Sequence, residues 1–283
     1  MQPALSATNI AIVVTGTGSA IGRATALAYA AAGAARLALL GRTVAELEAS
    51  MRVMEAEFPA ASATCHVADV ADEEALKRVA KQDVLVPNAG ITIAPEPTAQ
   101  TSVAERWRVF EVSHPSLSPT AARRARPADC SRRRTSRAAR PPRTPFSPPT
   151  TPARIVAVSA GSIGFPAASR FCGDQPAYNA SKIAQVRSRE HLAAENAHLL
   201  VALVHPGVVA TEMFDDDGAW INECLAGGKV VSLPARFMVQ VTSPEARFLK
   251  CSWDVDELKA RAREIMETRM LTANILGWPF QPK

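Results

Sequence analysis

The sequence predicts an α/β fold, a doubly wound parallel sheet between two helical layers in a three-layer αβα single domain. Three observations lead there. Short β-branched or aliphatic runs alternate with helical periodicity from residue 10 to residue 112, and the same alternation resumes after residue 153. A glycine-rich turn joins the first run directly to an Ala-rich helix. Runs of four to six apolar residues, each followed by a helix, are what a sheet buried on both faces requires.

Taken in order, strands are expected at 10–14, 37–40, 64–67 and 84–86, with helices at 20–32, 44–58 and 72–81. Local chemistry supports the helix ends. Thr43 with Glu46 and Ser102 with Glu105 have capping-box spacing, and Gly33 sits where a helix needs a left-handed residue after its last turn. The second half offers a strand at 155–159, a long helix at 177–198 and a strand at 200–205. Two positions break the expected pattern. The helix between Asp69 and Asn88 is short, and after Lys250 a last parallel strand is missing, with Cys251-Ser252 in its place.

Between the halves, 113–153 holds nine prolines, eleven serines and threonines, and only Leu117 and Phe146 among large aliphatic and aromatic residues. Such a segment cannot cover a sheet, and it is expected to be a disordered interruption. It is the kind of break that a changed reading frame or splice boundary leaves between two well-patterned flanks. It also carries nine arginines and one acid, which leaves 23 basic against 26 acidic residues elsewhere. The net charge of +5 is therefore local, and a nucleic-acid surface is not expected.

A chain of 283 residues, 47% hydrophobic and 21% charged, can bury one sizeable core. The Ala-rich stretch 24–35 is too short to span a bilayer, so no membrane partner is expected. No basic leader precedes the first strand. Five scattered cysteines without Cys-x-x-Cys spacing argue against a disulfide framework and against a metal site, and a reducing, cytoplasmic setting fits.

The chemistry begins at Thr15-Gly16-Thr17-Gly18-Ser19-Ala20-Ile21-Gly22, where glycines let the backbone approach a pyrophosphate and the next helix aims its free N–H groups at the charge. At the end of the second strand, Arg42 stands where an acid would favour NAD; a guanidinium there favours the 2′-phosphate of NADP. Asp69, ending the third strand, is placed either to meet the adenine amino group or to cap the next helix. Tyr178 and Lys182 lie one helical turn apart on one face, so the ammonium can favour the phenolate and the phenol can exchange a proton with a carbonyl oxygen.

Over 8–112 and 154–213 the chain resembles the short-chain dehydrogenase/reductase family. The resemblance rests on the Thr15 to Gly22 turn, Asn88-Ala89-Gly90, Tyr178 with Lys182, and Pro206-Gly207 with Thr211. It implies a Rossmann-type fold, NADP(H), and a small-molecule carbonyl or secondary alcohol as substrate. Tyr178 would be the general acid/base, and Lys182 would hold the ribose hydroxyls and lower the tyrosine pKa. Val209 and Thr211 would bind the nicotinamide carboxamide, and Asn88 would steady the sheet beside the cofactor. Residues 212–232, chiefly 212–229, would form the substrate lid. The tail resembles the fungal subset of the family, which implies secondary metabolism, and family members form homodimers or homotetramers through a helix that would fall within 113–153.

Some positions depart from the family pattern. Ala160 occupies the usual serine position, and Ser162, two residues on, is the substitute if the strand continues, whereas Ser159 turns to the opposite face. Ser113 stands where the family has asparagine, at the start of the interruption. Pro87 replaces the first asparagine before Ala89-Gly90 and ends its strand. The alternative to an enzyme is a catalytically impaired NADP(H)-binding protein of the same fold.

Overall fold

The computed structural model describes residues 7, 10–79, 83–93, 96–114, 153–169, 175–196, 199–209, 211, 213, 231–241, 247–268 and 270–273. The first half runs β1 (Ala11–Thr15), α1 (Ala20–Ala31), β2 (Arg36–Gly41), α2 (Val44–Glu57), β3 (Ser62–Val67), α3 (Glu73–Val79), β4 (Val84–Val86) and α4 (Val103–Ser113). The second half runs β5 (Arg154–Val158), a 3-10 turn (Gly161–Gly164), α5 (Pro176–Glu195), β6 (Leu200–His205), α6 (Ser232–Gln240), β7 (Arg247–Lys250), α7 (Val255–Ala260) and α8 (Ala262–Glu267). The strands form one seven-stranded sheet in the order β3-β2-β1-β4-β5-β6-β7, and every pairing is parallel. This is the doubly wound α/β fold that the alternation predicts.

Strand periodicity assigns the core to two faces. Ile12, Val14, Leu37 and Leu39 pack with Ala26 and Tyr29 of α1 and with Phe237 and Met238 of α6. Val13, Ala38 and Leu40, the alternate positions, pack with Leu76 and Val79 of α3 and with Val112 of α4. Leu39 is fully buried in the middle of β2. Leu39→Ala is expected to destabilise the protein by about 2–5 kcal/mol, read as a lower urea midpoint with an unchanged slope.

Two expectations are corrected at the element ends. The last parallel strand is present: β7 pairs with β6 in the register Ala202 to Arg247 through His205 to Lys250, and Cys251 N–H donates to His205 O at 3.0 Å. Ser113 and His114 are not part of an interruption. Ser113 closes α4 and is fully buried, and the His114 N–H donates to Phe110 O at 2.8 Å. The rest of that interval, 115–152, lies outside the described residues, as does the helix expected to mediate oligomer contact. Of the lid, only Met213, Val231 and Ser232 are described, and Ser232 opens α6, which packs on α1.

The capping signals divide. Ser102 Oγ accepts the Glu105 N–H at 3.1 Å and donates to the Glu105 carboxylate at 2.6 Å. Thr43 makes no side-chain cap on α2, and the Glu46 side chain lies against Gly18. Gly33 has φ +88° after α1, the left-handed conformation expected of it. Among the described residues no helix is long and apolar enough to cross a membrane.

Candidate active site

The strand order reverses between β1 and β4, and in an open α/β sheet the crevice at that switch point receives the ligand. Here it opens into a cleft of about 830 Å³. The cleft is bordered by the glycine-rich turn and the ends of β2, β4, β5 and β6, with Tyr178 and Lys182 of α5.

Hydrogen bonds from the strand ends hold the turn. Thr15 Oγ1 accepts the N–H groups of Asn88 and Ala89, each at 3.0 Å, while Asn88 Nδ2 donates to Thr15 O at 2.9 Å and to Gly16 O at 3.3 Å. Asn88 thereby ties β4 to the turn after β1. Pro87 costs no ladder bond, since it follows the last residue of β4, and its carbonyl accepts the Val158 N–H at 2.9 Å. From the other side the Ser50 hydroxyl donates to Thr17 O at 2.7 Å, and Arg23 bonds both Ser50 Oγ and the Gly18 carbonyl.

The residues present fit a dinucleotide's pyrophosphate. Gly16 has φ +70°, and a Cβ on Gly22 would lie 1.9 Å from Gly16 O, so the chain can close this tightly only with glycines. Ser19, the residue before α1, makes no side-chain cap, which leaves the helix N-terminus to an outside acceptor. Ser19, Ile21 and Gly18 all border the cleft.

At the adenosine end Arg42 borders the cleft, exposed and without an ion pair among the described residues. Asp69 is more engaged than its sequence position indicates. Its Oδ1 accepts the Ala71 N–H at 2.9 Å, and its Oδ2 pairs with the Arg108 guanidinium of α4. Burial alone would push the Asp69 carboxyl up, but the Ala71 and Arg108 bonds outweigh it and hold the carboxyl below its ordinary value. The cap of α3 belongs to Asp72, whose Oδ1 accepts the Ala75 N–H at 3.0 Å. Arg108 is a contact that sequence reasoning missed.

At the other end β5 stops at Val158, because Ser159 N–H still reaches Val204 O whereas Gly161 N–H turns to His205 Nδ1 at 2.9 Å. The strand does not continue to Ser162, contrary to the condition set for it. A 3-10 turn carries Ser162 to the cleft instead, where its hydroxyl donates to Asn179 Oδ1. Ala160 also borders the cleft, and the buried Ser159 hydroxyl has no hydrogen-bond partner among the described residues. His205 is a second missed residue: a Cβ on Gly161 would lie 2.6 Å from its ring, so the ring is the platform for the turn. Its signal was its place at the carboxyl end of a central strand, beside Pro206-Gly207.

Tyr178 and Lys182 meet as their spacing predicts, with Nζ 5.5 Å from the phenol ring centroid. Lys182 is 2% exposed and donates to Val158 O at 3.1 Å. Burial, with the Arg189 charge behind it, lowers its pKa to about 8. Loss of hydration pushes the half-buried Tyr178 up to about 12, the opposite direction to the lowering expected from Lys182. The ammonium stands over the ring and is directed to the Val158 carbonyl. Ser113, at the asparagine position, is a packing residue: its Oγ accepts from Ser181 Oγ at 3.0 Å and its carbonyl accepts from Gln185 Nε2 at 3.1 Å. Val209 and Thr211 border the cleft near Pro206 and Gly207.

A crevice with a phosphate-cradling turn at one end and a tyrosine-lysine pair at the other is that of a dinucleotide-dependent oxidoreductase. The short chain dehydrogenase family model matches residues 10–123. A short chain dehydrogenase of Monascus purpureus is 30% identical over 291 residues, covering 94% of this chain and 88% of that protein. A short chain dehydrogenase/reductase of Claviceps purpurea (strain 20.1) is 28% identical over 279 residues, covering 94% and 86%. The chain belongs to the short-chain dehydrogenases, a family of nicotinamide-dependent oxidoreductases. Among solved structures, L-sorbose reductase from Gluconobacter frateurii complexed with NADPH and L-sorbose superposes with TM-score 0.63 at 18% identity, covering 88% of this chain and 97% of that one. A 3-ketoacyl-(acyl-carrier-protein) reductase from Brucella melitensis complexed with NADH gives 0.62 at 19%, covering 87% and 99%. At these identities the two structures bear on the fold.

Proposed function

We propose that this chain reduces a carbonyl, or oxidises the matching secondary alcohol, of a small molecule with NADP(H), in fungal secondary metabolism. The observation that carries the reading is the pairing of Tyr178 with Lys182 beside the crevice that the glycine-rich turn opens. The cofactor supplies or takes the hydride. Tyr178 Oη exchanges the proton with the substrate oxygen, and at neutral pH its raised pKa keeps it protonated, ready to act as acid in reduction. Lys182 presents a buried donor toward the cofactor ribose, Val209 and Thr211 meet the nicotinamide carboxamide, and Asp69 meets the adenine. Arg42, exposed and without an ion pair among the described residues, meets the 2′-phosphate, and the fungal origin of the relatives supports the metabolic setting. Ser162 is the hydroxyl donor to the substrate oxygen in place of the serine absent at 160, once its proton is released from Asn179.

A second reading, binding without turnover, is favoured by Ala160, which removes a donor at the cleft wall. Ala160→Ser separates the two. Ala160 is extended, φ −129° and ψ 139°, at the edge of the cleft, so a hydroxyl can be added there without changing the backbone. If the chain is an enzyme, the variant is expected to reduce a panel of ketones and aldehydes on the order of a hundredfold faster than the unsubstituted chain, the scale of one added donor at a developing oxyanion. If neither form turns over while both bind NADPH, the second reading holds.

A further inference from the structure

One carboxylate stands against the phosphate-cradling turn. A methyl group placed on Gly18 would lie 2.3 Å from Glu46 Oε2 and 2.9 Å from Glu46 Cβ, so this side chain rests directly on the turn. Glu46 borders the cleft, and among the described residues its carboxylate has neither an ion pair nor a hydrogen-bond partner. Arg42, four residues earlier at the end of β2, likewise has no ion pair among the described residues. The Gly16 and Thr17 N–H groups donate to Leu40 O at 2.7 and 3.2 Å, so the end of β2 and the turn touch. Arg42, Glu46 and Gly18 therefore border the same end of the crevice, where the Arg42 charge also reaches Asp69 and helps hold its carboxyl down, while Glu46 adds a second carboxylate, unpaired among the described residues.

In this topology the edge of the adenosine ribose settles at the end of the second strand, beside the first turn. A 2′-phosphate arriving there brings a charge of about −2, attracted by Arg42 and repelled by any neighbouring carboxylate. A 2′-hydroxyl brings a hydrogen-bond donor, which a free carboxylate accepts. We propose that Glu46 is a cofactor-discriminating residue that opposes Arg42, disfavouring the 2′-phosphate of NADPH and leaving the site open to NADH. The inference rests on the cofactor reading above and refines it: selectivity is set by a pair of opposed charges and not by Arg42 alone.

Glu46→Gln keeps the bulk against Gly18 and removes the charge. Titrating the full chain with NADPH and with NADH by tryptophan fluorescence, we expect NADPH to bind on the order of tenfold more tightly in the variant, with NADH unchanged or weaker. Glu46→Lys extends the gain, and raising the salt shrinks it. Arg42→Leu, run beside these, is expected to weaken NADPH alone. An equal change for both nucleotides in Glu46→Gln, or no change, overturns the role of Glu46 and leaves the NADP reading standing. An equal loss for both in Arg42→Leu, with Glu46→Gln still selective, overturns Arg42 as the phosphate anchor and upholds Glu46. An unsubstituted chain that binds neither nucleotide overturns both.

Discussion

Tyr178→Phe is expected to lower NADPH-linked carbonyl reduction by about 10²- to 10⁴-fold while leaving nucleotide affinity nearly unchanged. The argument is one of atoms. The substitution deletes the phenolic oxygen and keeps the ring that Lys182 Nζ approaches at 5.5 Å, so the helix face and the lysine keep their packing. What is lost is the proton donor, and without one a developing alkoxide has to be stabilised by water or by Ser162. The same group sets a pH dependence. Because burial pushes the Tyr178 pKa up to about 12, the acid form is present throughout the neutral range and reduction is expected to be flat from pH 6 to 8. Alcohol oxidation needs the deprotonated form, so its rate is expected to climb with pH over the same interval. A variant that retains full reduction, or an oxidation rate that falls as pH rises, removes Tyr178 from the proton step.

The sheet was legible because its strands are apolar on both faces: β1, β2 and β6 carry runs such as Ile12-Val13-Val14 that leave few other readings. β7 was not, since Phe248 and Leu249 stand between Arg247 and Lys250, and an edge strand paired only with β6 needs no long apolar run. Within the site, what depends on neighbours in sequence was visible: the glycine-rich turn, and the lysine one helical turn after the tyrosine. What depends on distant contacts was not. The Asp69 to Arg108 pair joins residues 39 apart, and the His205 platform under Gly161 joins residues 44 apart. The direction of the Tyr178 shift also lay beyond the sequence, because the spacing of Tyr178 and Lys182 gives proximity and says nothing of how far either is withdrawn from water. Glu46 illustrates the same limit: its spacing from Thr43 signalled a cap, and only the fold set its carboxylate on Gly18.

Lys182→Met is expected to abolish activity and at the same time to raise the melting temperature at pH 7. Lys182 is 2% exposed, and burial together with the Arg189 charge brings its pKa to about 8, against about 10.4 for a lysine in the unfolded chain. Below pH 8 both states carry the proton, and the folded state bears the full cost of holding it, on the order of 3 kcal/mol. As pH rises from 8 to about 10.4 the folded lysine is neutral while the unfolded one still binds its proton, so the penalty is progressively relieved and stability rises with pH. A methionine of similar length fills the same space and removes the penalty. Against this stands the hydrogen bond to Val158 O, worth about 1 kcal/mol, so the net gain at pH 7 is on the order of 2 kcal/mol. The gain is expected to vanish near pH 10, where the lysine is already neutral in the fold. Thermal denaturation of both proteins at pH 7 and pH 10 checks this. A variant less stable than the unsubstituted chain at pH 7 would show that the ammonium is compensated in the fold, and a gain equal at both pH values would assign it to packing. A gain that appears at pH 7 and is lost at pH 10 would show that the fold alone is better served without the lysine's charge.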